Sequence, residues 1–214
     1  MLLLGYLAGV PKSIYVNFRL LPFSVAIKLP IIVSRKTIIR SLSGSAIVNK
    51  VRPGIVRIGF GTVETVDYSY NRTIIDISGE IAFLGKCNIG RGSKVMVSGK
   101  LTLGEFFMVS ADSTIICQKD ITIGAHSLIA WGTLLMDSDH HAIYDLQHTQ
   151  INEDKAIVIG DHVWIGSRAV VLKGSHIAND SIVASSAVVA KQYTKTNVII
   201  AGNPAKVVKE NITW

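Results

Sequence analysis

From Ile159 to Val189 an aliphatic residue returns at every sixth position: Ile159, Ile165, Val171, Ile177, Val183 and Val189. Four places after five of these stands a small or β-branched residue: Val163, Ala169, Ser175, Ser181 and Ala187. Neither the helical period of about 3.6 residues nor the strand period of about 2 produces this pattern. A six-residue repeat describes a chain that turns a corner every six residues and stacks short parallel strands into a prism. In such a solenoid each unit buries its apolar side only against its neighbours.

The register continues upstream through Phe83, Ile89 and Val95, then Leu103, Val109 and Ile115, then Ile123, Ile129 and Leu135. Its partner positions are Cys87, Ser93 and Gly99, then Phe107, Ser113 and Lys119, then Ser127, Thr133 and Asp139. Three hexads close one coil of about 18 residues, with two extra residues expected at corners such as Ile121-Thr122. Gly90, Gly104, Gly124, Gly160 and Gly166 directly follow the aliphatic position, where a tight corner favours a residue without Cβ. A sandwich of short strands would need antiparallel alternation and hairpin turns such as Asn-Gly, and the repeated part has none.

At 214 residues, one domain with a large core is expected. Hydrophobic content of 49% and a mean hydropathy of +0.40 suit parallel strands partly covered by other subunits, so an oligomer is expected. Two cysteines argue against a disulfide framework and fit a reducing, cytoplasmic setting. Cys87 takes a small inward position; Cys117 falls two residues beyond one and is expected nearer the surface. Neither has the neighbours of an activated nucleophile.

Residues 1–45 read as a flanking segment that caps the open end of a prism formed by residues 46–214, since a terminal coil otherwise exposes core and unpaired strand edges. Lys12, Arg19, Lys28 and three prolines interrupt its apolar stretches, leaving no run long enough to span a membrane. The Met-Leu-Leu-Leu start lacks the basic leading region and cleavage site of a secretory signal. Peripheral contact with a membrane surface, aided by Lys12, Arg19, Lys28, Arg35, Lys36 and Arg40, is a weaker alternative. The net charge of +7 does not point to nucleic acid, because no basic run is interleaved with aromatics. A phosphorylated cofactor or an acidic glycan is the better match, with Arg168, Lys173, Lys191, Lys195, Lys206 and Lys209 as a local positive field.

After Leu135 the hexad stops, and it resumes only at Ile159. The next inward position is due near Ile143, so about 16 extra residues leave the coil as a loop over 137–157. Long loops inside a repeat array are usually functional or disordered. This one carries Asp137-Ser138-Asp139-His140-His141, in which carboxylates stand close enough to orient an imidazole. A histidine is suited to remove a proton from a hydroxyl or amine near neutral pH. His126, His162 and His176 fall at outward places within regular hexads, and His148 lacks a tight acidic neighbourhood.

Three segments carry a resemblance to a known family: SDHHAIYD with His141 four residues before Asp145, IGDHVWIGSRAVVLKG from Ile159 to Gly174, and AGNPAK from Ala201 to Lys206. In this order they resemble the bacterial hexapeptide-repeat acyltransferases, over residues from about 55 to 210. The stretch VNFRLLPFSVAIKLPIIVS is similar to the leader of acetyltransferases from capsule and surface-polysaccharide clusters, and the sialic-acid-polymer O-acetyltransferases share the layout. The resemblance implies an all-β, left-handed parallel β-helix; the general bias toward right-handed crossovers would predict the opposite hand.

It further implies transfer from acetyl-coenzyme A, held between neighbouring prisms of a homotrimer, to a hydroxyl of a sugar or surface polysaccharide. His141 would be the general base, with His140 beside it as a substrate contact or alternative base. Asp139 would orient the pair, and Trp164 or a backbone N–H near Gly166 or Ser167 would face the oxyanion. Ser167, Ala184 and Ser185 would meet the pantetheine arm, Lys191 and Lys206 the phosphates, and Asn203-Pro204 would shape the adjoining turn. No covalent intermediate is implied. An amino-sugar N-acetyltransferase would look almost identical. The γ-type carbonic anhydrases share the fold, but their H-x-x-x-x-H zinc spacing is absent: Ser167 follows His162, and Leu146 follows His141, at the required distance, so no metal is expected. A non-catalytic solenoid would predict uninterrupted coils.

Overall fold

The computed structural model describes residues 9–61, 63, 64 and 67–214; the Met-Leu-Leu-Leu start lies outside the described residues. Among them, three sheets form the sides of a prism. The first side has nine strands, from Ile31–Val33 to Ala205–Glu210. The second and third have seven each, from Ile38–Ser41 to Val188–Val189 and from Ser45–Val48 to Gln192–Tyr193. Each strand pairs in parallel with its counterpart one coil away, as Phe107 beside Cys87, Ile115 beside Val95 and Ile121 beside Leu101. The hairpin of Val198–Gly202 with Ala205–Glu210 is antiparallel and ends the first side.

The aliphatic hexad positions from Phe83 to Val189 are buried and line one continuous core. Small partner residues at the corners are buried as well, and their hydroxyls are satisfied along the stack. Ser113 Oγ donates to Ala130 O at 2.9 Å and accepts from Thr133 N at 3.2 Å. Such pairing removes the desolvation cost of burying a hydroxyl. Gly90 follows the expected logic of close approach: a Cβ there would lie 1.9 Å from Ser110 O.

One corner departs from the expected register. Between the second and third sides the inward residues are Val97, Cys117 and Asp137, all buried, whereas Lys119 is exposed and Gly99 and Asp139 are half-buried. The two extra residues fall at 98–99 and 118–119, not at Ile121-Thr122, and Ile121 is buried. The reason is geometric. Strands such as Thr114–Cys117 and Asp120–Ile123 are long enough to put two residues inward apiece, so this corner is wider than the others.

The first coil starts at Ile31, so residues 31–48 already belong to the prism and only the preceding helices lie outside it. Helix α1 (Val10–Leu20) and the single turn α2 (Phe23–Ala26) cover the open end. The buried amide of Asn17 brackets residue 31, Nδ2 donating to Ile31 O at 2.7 Å and Oδ1 accepting from Ile31 N at 3.1 Å. Ser13 Oγ accepts from Val33 N at 2.9 Å. These side chains take the place of a missing strand and satisfy an edge that would otherwise be exposed.

Candidate active site

Ile121 pairs with Ile157, where the coils below pair residues 20 apart, as Leu101 with Ile121. The chain between Leu134–Met136 and Ile157–Ile159 therefore leaves the wide corner as one excursion. Its root is anchored by Asp137, which is fully buried and accepts from three successive amides of the coil beneath: Gln118 N at 2.7 Å, Lys119 N at 2.9 Å and Asp120 N at 2.8 Å. An acceptor carboxylate in a cup of backbone N–H groups makes charge-assisted bonds, about twice as strong as neutral ones.

Asp139 does a different job from orienting an imidazole. Its Oδ2 accepts from Lys173 Nζ at 2.5 Å and from Asn152 Nδ2 at 2.8 Å. Asn152 Nδ2 also donates to His141 O at 2.7 Å, and Lys173 Nζ donates to Asn152 O at 2.7 Å. The carboxylate thus closes a network across the two limbs of the loop and holds the backbone of His141. The Lys173 and Asn152 hydrogen bonds keep its carboxyl below the usual carboxylate range.

His140 stands at a left-handed backbone position, φ 59°, and its Nδ1 lies 3.1 Å from Gln118 Nε2. His141 is exposed. Asp145, four residues on, accepts from Gln147 N and Thr149 N and shapes the loop tip; it makes a turn and does not partner His141. The tip carries Ile143, Tyr144, Leu146 and Ile151, all exposed.

The cofactor residues expected from the sequence divide between two corners. Gly166, Ser167, Ala184 and Ser185 stack where the first side meets the second, with Ser167 Oγ 3.2 Å from Ser185 Oγ. A cavity of about 550 Å³ lies elsewhere, at the first coil; the one at this corner, about 540 Å³, is lined by Ser167, Ser185, Trp131, Arg168, Asn71 and Asp112 among others. Asn203 and Pro204, joined by a cis peptide, and Lys206 lie at the end of the hairpin on the same side. Lys191 is apart from them, at the wide corner, with its ammonium 5.5 Å from the centre of the Tyr193 ring. The Gly166 N–H donates to Val183 O at 2.7 Å, so it is committed to the ladder and not to an oxyanion.

Trp164 lies outward on the first side, the face opposite the loop-bearing corner. Its ring is 5.9 Å from that of Trp214, which stacks on His162 at 4.3 Å. Within one chain Trp164 and His141 do not share a site. Asn152 and Trp131 are the residues that reading the sequence missed, and neither carried a signal. Asp137, expected as a carboxylate beside the imidazoles, anchors the root of the loop, and Lys173, expected in a cationic field, pairs with Asp139. Among the described residues no group of three or more His, Cys, Asp or Glu is gathered to hold a metal.

A family model for bacterial transferase hexapeptide repeats (six repeats) matches residues 156–191. The putative colanic acid biosynthesis acetyltransferase WcaF of Escherichia coli K12 is 36% identical over 133 residues, covering 61% of this chain and 70% of that protein. The polysialic acid O-acetyltransferase of Escherichia coli O1:K1 is 34% identical over 125 residues, 58% of this chain but only 39% of that protein's length. The crystal structure of the polySia specific acetyltransferase NeuO shares the fold, with a TM-score of 0.56 at 24% identity over 84% of this chain and 82% of that one. The architecture is the left-handed parallel β-helix. The chain belongs to the hexapeptide-repeat acetyltransferases.

Proposed function

We propose that this protein transfers the acetyl group of acetyl-coenzyme A to a hydroxyl of a sugar or surface polysaccharide. The observation that carries this reading is the histidine-bearing loop that breaks the coil after Met136, which lifts His140 and His141 outward on a root fixed by Asp137, Asp139, Asn152 and Lys173. A base must be exposed to its substrate yet held in position, and this arrangement meets both needs. His141 takes the proton from the acceptor hydroxyl as its oxygen attacks the thioester carbonyl. The tetrahedral intermediate then collapses, the C–S bond breaks, and the imidazolium returns the proton to the departing thiolate. Positioned base catalysis of this kind contributes about 10²–10⁴ in rate. No side chain needs to be acylated.

The corner of Ser167 and Ser185 suits the donor. The hydroxyls of Ser167, Ser185 and Ser186 offer partners to a narrow polar arm along the cavity there, while Arg168 in its wall and Lys206 on the adjoining hairpin offer cations for phosphates. In one chain this corner and the histidine loop are on different edges of the prism, so a complete site combines two chains. The exposed Ile143, Tyr144, Leu146 and Ile151 at the loop tip support that reading, since such an apolar tip is suited to packing on a neighbour. A closed homotrimer is the arrangement we propose, and Trp164 enters the site only from an adjoining chain. Cys87 and Cys117, buried and unpaired, accord with a reducing cytoplasmic setting.

The test is to follow thiol release from acetyl-coenzyme A with a panel of hydroxyl and amino sugars and acidic polysaccharides. Turnover with a hydroxyl acceptor, falling about 100-fold or more in His141→Ala at unchanged melting temperature, is the expected result. Near-normal turnover in that variant would discard His141, and acetylation of amines alone would replace the hydroxyl acceptor.

A further inference from the structure

Helix α1 has its polarity reversed for a helix lying on a protein. Its buried side presents Ser13 and Asn17 together with Val16 and Leu20, because the first two are spent on the edge of the Ile31–Val33 strand. Its outer side carries Val10, Ile14 and Phe18 at successive four-residue steps, with Tyr15 beside them, each 41–52% exposed. Past the helix, Phe23 at 71% and Ile27 at 53% extend the same apolar surface, and the Phe18 and Phe23 rings meet edge-on at 5.8 Å. Among the described residues, packing does not cover these six side chains.

Charge in the same region is one-sided. Residues 1–63 hold nine basic residues, Lys12, Arg19, Lys28, Arg35, Lys36, Arg40, Lys50, Arg52 and Arg57, and no Asp or Glu. The rest of the chain sets the remaining 13 Lys and Arg against all 15 acidic residues, so the excess of positive charge belongs to the capped end. A cavity of about 550 Å³ there is lined by Lys12, Arg35, Lys36 and Arg72, with no carboxylate among its walls. Lys12 joins the two features. It projects from the first turn of α1, and its ammonium donates to Arg35 O at 2.8 Å and to Thr37 O, leaving positive charge at the cavity rim that no carboxylate among the described residues pairs.

We propose that the capped end of the prism docks on an anionic phospholipid surface. Helix α1 would lie in the plane of the interface with Val10, Ile14, Phe18, Phe23 and Ile27 entering the acyl boundary, while Arg19 and Lys28 remain at headgroup level and the Lys12, Arg35, Lys36, Arg72 cavity takes a phosphate headgroup. A short helix with an apolar face and flanking cations binds a membrane in this way, with affinity set by buried apolar area plus attraction to anionic lipid. Among the described residues no helix is long and apolar enough to cross a membrane. Docking here would leave the histidine loop, many coils away along the prism, facing a glycan held near the membrane.

The full chain would be sedimented with vesicles of phosphatidylcholine alone and of phosphatidylcholine mixed with phosphatidylglycerol. Binding to the anionic vesicles only, weakened by salt, is expected. Phe18→Asp and, separately, Phe23→Asp should each reduce it at least about tenfold. Arg35→Gln with Arg72→Gln should reduce it by roughly thirtyfold, about fivefold for each cation removed. Melting temperature, oligomeric state and any acetyl transfer to a water-soluble sugar should be unchanged. No binding to anionic vesicles, equal binding to neutral ones, or binding of free glycerol phosphate without vesicle binding would each overturn the proposal. A change of oligomeric state in Phe18→Asp would assign the face to a second copy instead. Vesicle binding is read independently of acetyl transfer, so this proposal and the enzymatic one fail separately.

Discussion

Lys173 Nζ lies 2.5 Å from Asp139 Oδ2 and joins the resumed coil to the root of the histidine loop. With Asn152 as the third member, the pair converts a long insertion into a frame whose backbone at residue 141 is fixed by a hydrogen bond. Removing the cation should loosen the loop without unfolding the prism. Lys173→Met is expected to lower turnover by about tenfold and to raise amide exchange across residues 140–152, with little change in melting temperature. Unchanged exchange in that segment would remove Lys173 from the frame.

The same network sets a pH dependence. The folded Asp139 carboxyl is depressed by its hydrogen bonds to Lys173 and Asn152. Its contribution is therefore complete above the unfolded carboxylate value of about 3.9 and is lost as pH falls through the lower folded value. Exchange protection of residues 140–152 should be flat from neutral pH to about 4 and fall below it. Asp139→Asn should abolish that acid step. A protection step near pH 6 would point to a histidine instead.

Asp137 anchors the loop from beneath with three amide bonds made by a fully buried carboxylate. Asp137→Ala strands those donors, at a cost of about 3 kcal/mol or more. In a domain of this size that lowers the melting temperature by roughly 6–12 °C. Calorimetry would check it, and a shift below about 2 °C would mean that water replaces the carboxylate without loss.

Asn17 closes the prism at its other extremity, bonding both the N–H and the C=O of Ile31 while fully buried. Asn17→Ala should destabilise the protein by about 2–5 kcal/mol, because both strand-edge groups lose their partner. Urea titration would show a lower midpoint with the slope retained. A neutral effect would show that α1 packs on the coil through Val16 and Leu20 alone.

Burial pushes the thiols of Cys87 and Cys117 upward, the latter to about 12, with Asp137 adding to the effect at Cys117. Since the thiolate is the reactive form, neither should react with a disulfide reagent in the native protein at pH 8, and both should react after denaturation. Fast native labelling of Cys117 would contradict its inward position.

The coil itself was legible in the residues, and the reason is local: every six residues must turn a corner, so each hexad repeats the same choice of one aliphatic and one small side chain. Cys117 shows where that local rule ends. The strand Thr114–Cys117 runs long enough to turn both Ile115 and Cys117 inward before the corner, and the thiol expected nearer the surface is buried against the core. The break after Leu135 marked the loop, and the histidines within it, because an interruption of a strict period is as visible as the period.

What only the tertiary structure decided is which side chains meet. Asp139 turns to Lys173, 34 residues away, and not to the imidazoles beside it. Lys191 and Lys206 part to different corners, and Trp164 faces away from His141. The hexad specifies a residue's height and side on the prism through short-range sterics, so sequence alone determined the architecture and the place where chemistry would emerge. Contacts between coils depend on where a long excursion returns and on which edge each corner stands, and a six-residue period is the same on all three edges.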